Sequence, residues 1–119
     1  MLRRIFWVTL SLSMLNCSFS LCDNTNIYSV HSPNNRFVAT VFQRGCGATT
    51  PTLSIVSIRT LSSEQDLDKV EDWIFSIKAD SGVEAMWLSD DKLNISYVWQ
   101  GDAPSRKKNI WKQVSILYQ

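Results

Sequence analysis

Histidine is nearly absent: His31 is the one histidine in the chain. A histidine-built metal site or a Ser-His-Asp triad therefore has almost nothing to be built from. Glycine and proline are scarce, at 4 and 3, which excludes collagenous and low-complexity chains. An excess of one charge is also lacking. Twelve Lys and Arg against eleven Asp and Glu leave a formal net charge of +1. No global field gathers nucleic acid, and no nucleic-acid partner is expected. No uncharged apolar run reaches the roughly 20 residues of a membrane-spanning helix. No phosphate-loop spacing, metal cluster or nucleophile–base pair stands out, so no catalytic residue, metal or cofactor is assigned. What is present is a chain of 119 residues, 45% hydrophobic and 11% aromatic. That is the size and make-up of one folded domain.

Positions 1–20 read as a secretory signal. Arg3 and Arg4 form a positive start, and Ile5 to Leu15 is an uncharged apolar stretch. It has the length of a signal-peptide core, with the small residues Ser18 and Ser20 following. Cleavage after Ser20 leaves residues 21–119 as one β-rich domain with a net charge near −1. The competing reading is a buried first strand or helix of the domain. A lipid anchor would use Cys17, although Asn16 stands where a small residue is usual. Leu21 is too large before Cys22. A membrane partner is expected only with lipid on Cys17.

Three cysteines are present, Cys17, Cys22 and Cys46. Cleavage or lipidation removes Cys17 from the count. An even pair in an exported chain favours a disulfide, here Cys22–Cys46. The alternatives are two inert thiols, or Cys46 as a nucleophile with His31 as its base.

The mature chain reads as β-structure. Residues 36–43 put Phe37, Ala39 and Val41 on one side and Val38, Thr40 and Phe42 on the other, the pattern of a strand buried on both faces. Residues 53–59 are rich in β-branched side chains. Residues 73–78 place Trp73, Phe75 and Ile77 together. Residues 83–88 form a shorter strand with Trp87 inward. Residues 93–99 alternate Leu93, Ile95, Tyr97 and Trp99 against Asn94, Ser96 and Val98. Residues 110–118 align Ile110, Val114, Ile116 and Tyr118. Turn-forming or polar stretches separate these runs, at 45–51, 62–72, 80–82, 89–92 and 100–108. The expected fold is mainly β, a single antiparallel meander, twisted or partly rolled. Two segments look alike: Ser32 to Ala39 and Ser89 to Ser96 each run from a polar turn into a strand. Such units build propeller blades, but two cannot close a propeller.

The stretch from Ser32 to Ser57 resembles a group of small exported bacterial proteins of unknown function that share "SPDGKYxAxVFxRDCGATT". The matching residues are Ser32, Pro33, Arg44, Cys46, Gly47, Ala48, Thr49, Thr50, Val56 and Ser57. Trp87 and Leu93 to Tyr97 also fit the group's later pattern. Gly45 stands where the group carries Asp. The resemblance implies export and a shared fold, with no activity to transfer.

The Arg44-to-Pro51 segment has two readings. Arg44, Gly47, Thr49 and Thr50 could present donors to an anion or a peptide. Alternatively, the glycines permit a tight turn around a bridged cysteine, and the threonines satisfy loop backbone. Glu64, Asp66, Asp68, Glu71 and Asp72 lack calcium-loop spacing and read as a solvated face. Arg106, Lys107 and Lys108 read as protection for an edge strand. Trp73, Trp87, Trp99 and Trp111 read as core, with an aromatic binding surface as the alternative. Asn94-Ile95-Ser96 matches a glycosylation sequon but lies within a strand. The expectation is an exported, non-enzymatic module of the periplasm or cell envelope that binds a protein or peptide, through a sheet edge for example. Its rivals are a lipid-anchored structural lipoprotein and a minor envelope hydrolase using Asp90, Asp91 or a residue of the acidic loop.

Overall fold

The computed structural model describes residues 22–98 and 101–119. The expected signal segment and Cys17 lie outside the described residues, as does Trp99. Among the described residues the strands are β1 (Asp23–His31), β2 (Phe37–Gly45), β3 (Leu53–Thr60), β4 (Trp73–Lys78), β5 (Val83–Ser89), β6 (Lys92–Tyr97), β7 (Arg106–Lys107), β8 (Ile110–Trp111) and β9 (Val114–Tyr118). A short 3-10 turn covers Val70–Asp72. The mainly β reading holds, but the single meander does not. The strands form two sheets, one ordered β1-β2-β3-β4-β7 and the other β5-β6-β9-β8.

The inner faces of the two sheets meet in one core. Phe37, Ala39 and Val41 of β2 with Val56 and Ile58 of β3 pack in the same cluster as Leu93 and Ile95 of β6 and Val114 and Ile116 of β9. Strand β2 is buried on both faces, as its doubly apolar pattern requires. Its reverse face carries Val38, Thr40 and Phe42. There Phe42 meets Trp73 edge-on, and the 61–72 connection is tied down by a bond from Trp73 Nε1 to the Leu67 carbonyl at 2.9 Å.

Departures from the sequence reading have local causes. Strand β1 went unread because DNTNIYSVH is polar, yet it pairs along the length of β2. In β4 the register slips at Ile74, so Val56 faces Phe75 while Ser57 faces Trp73. This bulge turns Ile74 into the core with Phe75 and sends Trp73 to the opposite face. Residues 110–118 are a hairpin, not one strand. Lys112 takes φ 48° in the turn, and Trp111 pairs with Val114. The turn shifts the alternation, so Trp111 is buried and Ile110 is exposed. Finally, β9 lies parallel to β6. Between them the chain crosses to the first sheet, where β7 pairs with β4, and then returns. Neighbouring strands in a parallel pair need such a crossover, which a meander lacks.

Candidate functional site

Cys22 and Cys46 are joined by a disulfide. They sit beside the Asp23–Gly45 pair, at the open end of the β1–β2 hairpin. His31 pairs with Val38 at the other end of the same ladder. The two residues of the nucleophile reading are therefore at opposite ends of β2, and the sulfur is already bonded. The bond also makes Cys22 unavailable for lipid.

The Arg44-to-Pro51 bend is braced from within. Arg44 donates to Asp68 Oδ1 at 2.6 Å and to Asn24 Oδ1 at 2.8 Å, and its guanidinium lies 5.2 Å over the Trp73 ring. Asn24 also donates to Asp68 Oδ1. Hydrogen bonds from Arg44, then from Asn24, hold the Asp68 carboxyl below the ordinary carboxylate range. Gly47 takes φ 115°, a left-handed angle that suits glycine. The Thr50 amide and hydroxyl both donate to the Gly47 carbonyl. Thr49 is exposed. The charge that a ligand would use at this bend is thus committed to Asp68.

The acidic run does not converge. Among the described residues no group of three or more potential metal ligands comes together. Asp66 accepts the Asp68 amide. Asp72 accepts from Trp111 Nε1 at 3.1 Å and lies 3.8 Å from Lys69. A polar hollow of about 50 Å³ lies beneath this connection, lined in part by Thr40, Ser57, Arg59, Asp66, Asp72 and Trp111. It has room for a few water molecules. The basic cluster serves the fold as well. Arg106 donates to the Val70 and Trp73 carbonyls, Lys108 to that of Glu71, and Lys107 lies 4.7 Å over the Tyr118 ring. Tyr118 donates to the Lys108 carbonyl. Burial, with Tyr97 as a smaller contributor, pushes its pKa up to about 12.

Trp73, Trp87 and Trp111 each use the indole N–H on a partner within the chain: Leu67 O, Val30 O and Asp72 Oδ1 respectively. They work as framework. Asp90 and Asp91 occupy the exposed β5–β6 turn, where Asp91 accepts from Ser89 Oγ at 3.0 Å. Asn94 of the sequon is 4% exposed and sits mid-strand.

The surface that remains is the outer face of the four-stranded sheet. Leu93, Ile95, Val114 and Ile116 point to the core, so alternation sends their neighbours outward. Met86 is 58% exposed, Ile110 63% and Leu117 44%, with Leu88 and Val98 also open. Large apolar side chains grouped in this way on one small sheet make a patch of the kind that marks interaction surfaces. Sequence reasoning missed it because each strand contributes only one or two such residues. The signal was present only as apolar residues at outward positions of otherwise alternating strands, as at Met86 and Leu117. No family model, curated protein or solved structure matches the chain.

Proposed function

We propose that this chain is an exported, disulfide-stapled β protein of the periplasm or cell envelope that acts by binding rather than by catalysis. Its contact surface on this reading is the outer face of the four-stranded sheet. Export is supported by the leader-like segment at positions 1–20. The Cys22–Cys46 bond is compatible with an oxidising compartment and supports it too. Among the described residues no helix is long and apolar enough to cross a membrane.

The observation that carries the binding reading is the exposed set Met86, Leu88, Ile110 and Leu117, standing directly behind the core-facing residues of the same strands. The hydrolase reading would place its chemistry on Asp90 and Asp91, which lie in a surface turn rather than in a cleft. The sheet-edge route is weakened where β1 and β5 approach one another. There the Ala85 amide donates to Tyr28 Oη and Trp87 Nε1 donates to the Val30 carbonyl.

Oxidative footprinting tests the reading. Met86 is expected to label more slowly in intact envelope preparations than its exposure in the single chain would give. Met86 labelling at the rate of a free surface methionine, with the fold intact, would remove the proposal.

A further inference from the structure

The Cys22–Cys46 bond is linked to the 61–72 connection through one side chain. Asn24 and Arg44 stand opposite each other across β1 and β2, just inside the bridged cysteines. Arg44 donates to Asn24 Oδ1 at 2.8 Å. Both then donate to Asp68 Oδ1, Arg44 at 2.6 Å and Asn24 at 2.9 Å. Asp68 lies in the middle of the connection, whose ends are held separately. Arg59 donates to the Ser63 carbonyl at one end. At the other, Arg106 donates to the Val70 carbonyl and Asp72 accepts from Trp111. The Leu67 carbonyl accepts from Trp73, whose ring lies under Arg44.

Strand β1 divides at its bulge, where the ladder slips between Asn26 and Tyr28. Beyond the slip, Tyr28 and Val30 pack against the core and accept hydrogen bonds from Ala85 and Trp87. Before it, Asp23, Thr25 and Asn26 are exposed and Asn24 is half-buried. None of these four joins the core cluster. As an edge strand, β1 is paired on one side only. A polar edge segment with no apolar burial opens at low cost. Its ladder to β2 and the bond to Cys46 are what hold it. Both cysteines are half-buried rather than enclosed, so a small thiol can reach them.

We infer that the disulfide is a redox-sensitive latch on the 61–72 connection. With the bond formed, β1 holds Asn24 against Arg44 and Asp68. The connection is then pinned over the hollow lined by Thr40, Ser57, Arg59 and Asp72. With the bond reduced, the Asp23–Asn26 part of β1 swings out at the bulge, Asn24 leaves Asp68, and the connection loosens. The reductant is a dithiol. One of its thiolates attacks a sulfur of the bond, and its second thiol resolves the mixed disulfide. The reductant ends as a disulfide. Its two electrons and two protons end on Cys22 and Cys46 as thiols. The departing segment bares the β2 edge from Phe42 to Gly45, a row of backbone groups able to pair with another strand. The rest of the fold stays, because β2 keeps β3 on its other side and Tyr28 and Val30 remain seated.

Hydrogen exchange of the full-length protein, read by NMR before and after reduction with dithiothreitol, tests this. On reduction the amides of 23–26 lose their protection. The Lys69 amide, bonded to the Asp66 carbonyl, exchanges about tenfold faster. It does so through an opening insensitive to low urea, as a local opening is. Val56 and Ile95 still exchange only through the urea-sensitive opening. Asn24→Ala speeds Lys69 as much with the bond intact, and reduction then adds nothing there. Four results overturn the latch. One is a bond that dithiothreitol opens only in urea. A second is protection of 23–26 that survives reduction. A third is a Lys69 amide that is unchanged, or faster only through the opening shared with Val56 and Ile95, which makes the bond a plain staple. The last is further acceleration at Lys69 on reducing Asn24→Ala, because the link would then bypass Asn24.

Discussion

Trp87 donates its indole N–H to the backbone carbonyl of Val30 at 2.9 Å, across 57 residues of chain. Two positions earlier, the Ala85 amide donates to Tyr28 Oη at 2.8 Å, across the same interval. Ser32 and Ser89 stand at that interval too. In each of those turns the serine hydroxyl donates to an oxygen two positions on, Asn34 Oδ1 or Asp91 Oδ1. The likeness of the two turn-and-strand segments thus has a counterpart in space. The β1–β2 and β5–β6 hairpins lie side by side, and side chains join strands β1 and β5 where they approach.

This seam makes the first prediction. Tyr28→Phe removes one hydrogen bond to backbone, which costs about 1 kcal/mol, and Trp87→Phe costs more because the indole also packs on the core beside Phe37. Chemical denaturation measures the loss. Hydrogen exchange gives the sharper reading: the Ala85 amide should exchange faster in Tyr28→Phe. Unchanged exchange there would show that the seam does not protect it.

The disulfide closes a sequence separation of 24 residues. The chain-entropy model gives about 3 kcal/mol for a loop of that size. Replacing both cysteines by serine should lower Tm by roughly 10–20 °C. Reducing the native protein should produce the same drop. Equal midpoints with and without reductant would remove the staple from the account of stability.

The Asp68 carboxyl is held below its ordinary value of 3.8 by Arg44 first and Asn24 second. A lowered folded pKa favours the charged form. Its contribution is present above the unfolded value and is lost as pH falls through the folded one. Carboxyl NMR titration should find Asp68 titrating below the ordinary aspartate range. Arg44→Met should return it toward the ordinary range.

Tyr118 behaves in the opposite sense. Burial raises its pKa from 10.0 to about 12, so the neutral phenol is favoured in the fold. Its contribution is complete below pH 10 and is lost as pH rises toward 12. Phenolate absorbance should show one of the three tyrosines ionising late, together with alkaline unfolding. Tyr118→Phe should remove that late step at a cost of about 1 kcal/mol for the bond to Lys108.

Much of the framework was legible from residue pattern. Strand β2 is apolar at every position from Phe37 to Phe42 except Thr40, and it is buried on both faces as that pattern demands. Leu93 and Ile95 point inward, as does Trp87. Less legible were elements whose sequence resembles loop. Strand β1 has Asp, Asn, Thr and Asn in succession, and its place comes from pairing with β2 and from the bridge at Cys22. The bend at Arg44 offered a cation to a ligand, but its partner Asp68 lies on a distant part of the chain, so the ion pair has no local signature. The outer patch was hidden for a similar reason: Met86 and Leu117 become neighbours only through Asn94 between them.

The amino-acid order by itself decided the β class and inward residues such as Phe37, Leu93 and Ile95, and it offered Cys22–Cys46 as one reading of the cysteines. A period of two in side-chain polarity writes burial directly into a strand. Only the tertiary structure decided that there are two sheets, that β9 runs parallel beside β6, and that Ile74 bulges and turns Trp73 over. Backbone N–H and C=O groups are the same at every residue apart from proline. Which strand pairs with which is therefore settled by how the whole core fills, and no single stretch of sequence carries that information.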